Sequence, residues 1–142
     1  MRTDGHARTY RANAILTASP GQLVLMLYDG ALQAMALAQQ AFAQPASDPR
    51  RLETINHQLQ KAQRILAELQ GGLNFETGGE FARTMHRLYD YHMRRLFEAN
   101  LRKQVEPLAE VEDLVRGLRE AWSEMLQKQD AAAPVERICS VA

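Results

Sequence analysis

Between Leu52 and Leu73 the apolar residues Leu52, Ile55, Leu59, Ala62, Leu66, Leu69 and Leu73 recur in alternating steps of three and four. A helix of about 3.6 residues per turn lines such residues along one side, whereas a strand would need a period of two. This stretch is therefore a helix with one buried face. Similar steps recur along Phe81, Met85, Leu88, His92, Leu96 and Ala99, and along Leu108, Val111, Val115, Leu118, Trp122 and Met125. Composition points the same way: 21 Ala and 18 Leu stand against 6 Val and 4 Ile, and straight-chain residues keep more rotamer freedom in a helix than β-branched ones do.

Proline and glycine divide the chain into four such helices. Ser19-Pro20-Gly21-Gln22 forms a capping box with Pro at the first helical position, which predicts a helix from Ser19 to about Gln44. Asp48-Pro49 repeats the start signal, and Gly71-Gly72 limits the second helix near Leu73. A third is predicted over Glu80 to Lys103, after Gly78-Gly79, and a fourth from Glu106 to Lys128 with Pro107 at its first position. Rods of about 23 to 26 residues are roughly 35 to 39 Å long. Short connections make consecutive rods antiparallel neighbours, so the predicted fold is all-α, an antiparallel up-down-up-down four-helix bundle with a mobile N-terminal segment. Its divisions are residues 1–18 as that segment, 19–128 as the bundle and 129–142 as a flexible C-terminal tail, since neither end carries sustained periodicity. A chain of 142 residues and 16.0 kDa holds one such domain.

Charge narrows the function. Lys+Arg and Asp+Glu are 17 each, for a formal net charge of 0, so no overall field draws the protein to nucleic acid or anionic lipid. The longest unbroken apolar run, Leu23 to Tyr28, is far below the roughly 20 residues that cross a bilayer, so stable membrane insertion is not expected. Charged and polar residues from Arg2 to Asn13 argue against a cleaved leader. The one cysteine, Cys139, can form no internal disulfide or multi-cysteine zinc site, which fits the cytoplasm.

Chemistry-bearing motifs are sparse. The Glu-x-x-His pairs of di-iron bundles do not occur, so neither metal nor other cofactor is expected. Arg87 and His92 match the Arg-x4-His spacing of HEPN-type ribonucleases, where Arg would stabilise a phosphoryl transition state and His would move a proton. Five residues along a helix, however, place the two about 140° apart around its axis. With His92 on the inner stripe, Arg87 points elsewhere.

The first helix is the anomaly. Leu23, Val24, Leu25, Met26, Leu27 and Tyr28 cover every direction around nearly two turns, although an outer helix of a bundle needs one apolar side. Methionines at 26, 35, 85, 93 and 125 add the adaptable contacts used by helix-binding grooves. The surplus calls for a cover: a partner, the N-terminal segment, or a second copy of the chain in a self-associating structural bundle.

Ordered blocks of sequence supply a family likeness. They begin with Leu16-Thr-Ala-Ser-Pro20, Gln22-Leu23 and Leu25-Met-Leu-Tyr-Asp-Gly30. They continue through Lys61-Ala-Gln63, Ile65, Glu68-Leu69, Gly78-Gly-Glu80, Leu88-Tyr-Asp-Tyr91, Arg94-Arg-Leu96 and Glu98-Ala-Asn-Leu101, and close with Glu110-Val-Glu112 and Ala121-Trp122. Across about Tyr10 to Leu126 the chain resembles the flagellin-specific export chaperones of the FliS family. The resemblance implies a non-enzymatic cytoplasmic four-helix bundle of the flagellar type III export system. Such a protein binds the disordered C-terminal segment of flagellin, prevents premature polymerisation and delivers the subunit to the flagellar export gate. It implies that Tyr10, Ile15 and Leu16 form a lid over the client surface, with Tyr10 also docking at the gate. Leu23, Met26, Leu27, Leu59, Leu66, Leu88 and Leu96 are the groove or core candidates, and a homodimer can form without client. Gly21 stands where the family carries a polar helix former, which predicts a weaker start to the first helix.

Overall fold

A computed structural model describes residues 18–141, with side chains through Ala131. Four helices follow in order: α1 (Pro20–Phe42), α2 (Arg51–Gly71), α3 (Phe75–Arg102) and α4 (Glu106–Val141). Each packs on two neighbours, α1 on α2 and α4, and α3 on α2 and α4, so they close into a square around one core. Cross-links fix the directions. Asn100 donates to Asn56, Gln63 to the Met93 carbonyl and Gln70 to that of His86, so α3 descends as α2 rises. Trp122 reaches Gly21 while Arg119 reaches Asp29, making α1 and α4 antiparallel as well. This is the all-α bundle that the spacing predicts.

The start of α1 follows its sequence signal. Ser19 Oγ accepts from Gln22 N at 3.2 Å, and the Gln22 side chain accepts from Ser19 N at 3.2 Å, so both capping-box bonds form behind Pro20. α2 opens two residues later than the Asp48-Pro49 signal predicts. Asp48 Oδ1 accepts from Arg50 N at 2.9 Å and its carbonyl from Arg51 N, winding a tight turn before the regular helix.

α3 differs more. Asn74 caps a preceding turn by accepting from Glu76 N and Thr77 N, so the helical run begins at Phe75 instead of Glu80. Gly79, at φ 51 and ψ −126, kinks it where the sequence places a boundary. The inward stripe after the kink is Ala82, Met85, Tyr89, His92, Leu96 and Ala99, whereas Phe81 is 65% exposed and Leu88 only half-buried. α4 continues to Val141, past the expected end at Lys128. Ala131 to Ala133 favour that continuation, while Pro134, which has no N–H for the Asp130 carbonyl, opposes it.

By length and a mean hydropathy of 1.2, α1 would qualify as a membrane span, which the short apolar run does not suggest. In the bundle its Ala31, Ala34, Met35, Ala38 and Ala41 are buried against neighbouring helices. At Gly21 a Cβ would fall 2.5 Å from Leu126 Cδ2, so a larger residue there would make the end of that leucine turn aside. The bond from Trp122 Nε1 to the Gly21 carbonyl at 2.8 Å ties this helix start to α4.

Candidate functional site

The bundle interior is unevenly filled. From Ala31 onward the inward side of α1 is four alanines and Met35, and Ile55, Leu59, Leu96, Leu108 and Val111 close over them with essentially no exposure. Toward the start of α1, the bulky residues Leu23 to Leu27 all stay half-buried. Val24 and Leu27 lean on the core cluster, and Leu23, Leu25 and Met26 are not among its packing partners. The apolar surplus read from the sequence is thus a band of partly exposed side chains.

Beside that band lies a half-open apolar cavity of about 290 Å³. Val24 and Leu27 of α1, Leu69 of α2 and Leu73 just beyond it, Phe81 and Met85 of α3, and Trp122 of α4 form its walls. The kink at Gly79 and the turn capped by Asn74 shape its mouth, because they carry the chain across the bundle end before α3 begins its inward stripe. Glu68, Asn74 and Thr77 supply the polar rim.

Two tyrosines from diagonally opposite helices also line this cavity. Tyr28 of α1 and Tyr89 of α3 are 3% and 2% exposed, and their hydroxyl oxygens lie 2.5 Å apart. Burial pushes both phenols above their ordinary pKa, and for Tyr89 the hydrogen bond with Tyr28 pushes the same way. Both stay protonated across the physiological range. The following aspartates act outside: Asp29 accepts from Arg119 Nε at 2.8 Å and Asp90 from Gln70 at 2.8 Å, tying α1 to α4 and α2 to α3 around the cavity.

Placement sorts the candidate residues. Leu59, Leu66 and Leu96 are fully buried in the common core, so they hold the bundle together and present nothing to a partner. Leu23, Met26 and Leu27 lie in the half-buried band, with Leu27 also in the cavity wall. Leu88 is half-buried against the core, away from that wall. Tyr10, Ile15 and Leu16 lie outside the described residues. Sequence pattern assigns no site role to Tyr28, Leu73, Phe81, Tyr89 and Trp122, although the repeated triplets Leu27-Tyr28-Asp29 and Leu88-Tyr89-Asp90 mark the pair that meets.

Catalysis finds no support in the geometry. His92 is 1% exposed with neither ring nitrogen hydrogen-bonded, whereas Arg87 is exposed, so the two share no site. Burial pushes the His92 pKa down, against a smaller upward pull from Glu110. That carboxylate is held low chiefly by the Tyr91 hydroxyl and then by Arg95, whose Nε and Nη2 donate to it at 3.1 and 2.8 Å. Among the described residues no group of three or more His, Cys, Asp or Glu is placed to hold a metal ion.

Comparison with known proteins supplies the lineage. The family model described as flagellar protein FliS matches residues 3–129. The flagellar secretion chaperone FliS of Bacillus subtilis (strain 168) is 40% identical over 120 residues, covering 84% of this chain and 85% of the relative. Its namesake in Salmonella typhimurium is 38% identical over 124 residues, 87% of this chain and 88% of the relative. The flagellar secretion chaperone FliSB of Pseudomonas aeruginosa is 31% identical over 105 residues, 74% of this chain and 79% of the relative.

Proposed function

The chain belongs to the FliS family, a chaperone family and not an enzyme family, and from that membership we propose that it is the cytoplasmic export chaperone of a flagellin. In this reading it binds flagellin's disordered C-terminal segment, keeps it from polymerising and delivers it to the flagellar export gate. The observation that carries the reading is the half-buried band from Leu23 to Leu27 beside an apolar cavity, since an ordering client offsets its lost entropy by burying apolar surface. A band of this kind binds by area and needs no chemistry.

Residues 1–18 form the lid in this account, with Tyr10, Ile15 and Leu16 as its apolar contacts and Tyr10 as the gate-docking residue. Without client the same band supports a homodimer. Purified protein is expected to co-elute with flagellin and to release it when flagellin's C-terminal segment is deleted; undiminished co-elution would refute the assignment. Sedimentation without and with flagellin tests the dimer: a dimer persisting at full occupancy would show that the band belongs to self-association.

A further inference from the structure

The buried tyrosine pair gives the cavity a chemical preference as well as a shape. Two hydroxyls that share one hydrogen bond use one proton between them, so whichever oxygen accepts still carries a proton of its own. Among the described residues neither hydroxyl makes another hydrogen bond, and both side chains line the cavity. Of the residues lining this recess, the tyrosine pair therefore carries one unspent donor, beside apolar walls and a rim of Glu68, Asn74 and Thr77. An occupant that covers this donor without offering an acceptor leaves it unpaired.

We propose that this cavity receives a single tyrosine side chain from a bound client segment, ring against Leu27, Met85 and Trp122, and oxygen against the Tyr28–Tyr89 pair. The inference rests on the reading of this end of the bundle as client-binding and narrows it to one residue type. Size agrees: about 290 Å³ lies at the small edge of the range for ligand pockets, suited to one bulky side chain and too small for a helix. Phenylalanine would fill the walls and leave the donor unmet. Asparagine or glutamine would meet the donor and leave the apolar walls poorly covered. Tyrosine satisfies both.

The side-chain analogues p-cresol and toluene test this on the intact chain without any flagellin, so the outcome is independent of whether flagellin is the client. Titration followed by the Met85 methyl and Trp122 indole resonances gives both affinities, and their ratio cancels differences in pocket shape and probe hydrophobicity between protein variants. Tyr28→Phe and Tyr89→Phe singly should each keep the wild-type ratio within about threefold, because removing one hydroxyl frees the other to donate. The double Tyr28→Phe/Tyr89→Phe variant should shift the ratio toward toluene by about tenfold, the scale of one hydrogen bond. It should also stay folded, since replacing both buried partners by apolar groups of the same shape is close to neutral. A ratio unchanged in the double variant would overturn the proposal, as would probe shifts at residues remote from the cavity or no binding by either probe. Binding that appears only in Tyr10→Ala would overturn it too, by showing that the chain's own Tyr10 fills the recess.

Discussion

At one end of the bundle Ala31, Ala34, Ala38 and Ala41 let the neighbouring helices close until Ile55, Leu59, Leu96 and Val111 are fully covered; at the other, Leu23 to Leu27 and Trp122 stay partly exposed around a cavity. Both ends are built from helices with inward apolar stripes. The difference lies in residue size. Small side chains on α1 draw helix axes together, whereas six consecutive large ones from Leu23 to Tyr28 cannot all turn inward. Fully buried core is concentrated at the first end and half-buried apolar surface at the second.

The sharpest way to break that contrast is truncation. Leu59→Ala or Leu96→Ala, at sites with no room to collapse, should cost about 2–5 kcal/mol in urea unfolding. Leu27→Ala, already beside a cavity, should cost about 1 kcal/mol. Equal losses would mean that both ends are equally packed. Next in size is the kink that shapes the cavity mouth. Gly79 has nothing within 4 Å of an added Cβ, so Gly79→Ala should destabilise through backbone strain alone, by about 1–3 kcal/mol. No measurable change in denaturation midpoint would show that the kink is unstrained by a side chain.

A smaller effect is expected from His92, buried and neutral in the filled stripe of α3. Its folded pKa lies below 6.5 and its unfolded one near 6.5, so the unfolded chain takes up the proton first. Its stabilising share is present above about pH 6.5 and is lost as pH falls toward the folded pKa, by up to about 1.4 kcal/mol per pH unit. His92→Leu should flatten this acid limb, with Glu110 still held low chiefly by Tyr91 and Arg95 after losing the smaller pull of His92; an unchanged limb would assign it to other groups. The smallest effect belongs to the exposed Arg119–Asp29 pair at the open end, where Arg119→Ala should cost under about 1 kcal/mol in thermal unfolding. A larger loss would show that the open end depends on this clasp.

Much of this was legible in the residues. The Ser19 box fixes the start of α1 because its signal is local and its partners lie three residues apart. The α2 stripe holds at Ile55, Leu59, Ala62, Leu66 and Leu69 and fails only at its ends: Leu52 is 55% exposed and Leu73 joins the cavity wall. In α3 the period is right but the chosen register favours Phe81 and Leu88 over Ala82 and Tyr89. Hydrophobicity ranks the larger residue as core, while the kink at Gly79 and the space beside Tyr28 select the smaller residue and the one with a hydroxyl partner. Leu59, Leu66 and Leu96 could not be told from a groove because periodicity reports which side faces inward and not whether that space is filled. The cavity itself depends on three helix ends meeting, a relation no single segment encodes.

The most direct test of the central claim, that the half-buried band at the open end is the client surface, is the affinity of a labelled C-terminal flagellin segment for two variants. Leu23→Asp/Met26→Asp alters the band outside the core cluster, and Phe97→Ser/Leu101→Ser alters the exposed apolar residues on the outer side of α3 near the opposite end. The first should weaken binding by about a hundredfold or more and the second by less than about threefold, both remaining helical by circular dichroism. The reverse order would place the client on the α2–α3 face and contradict the account.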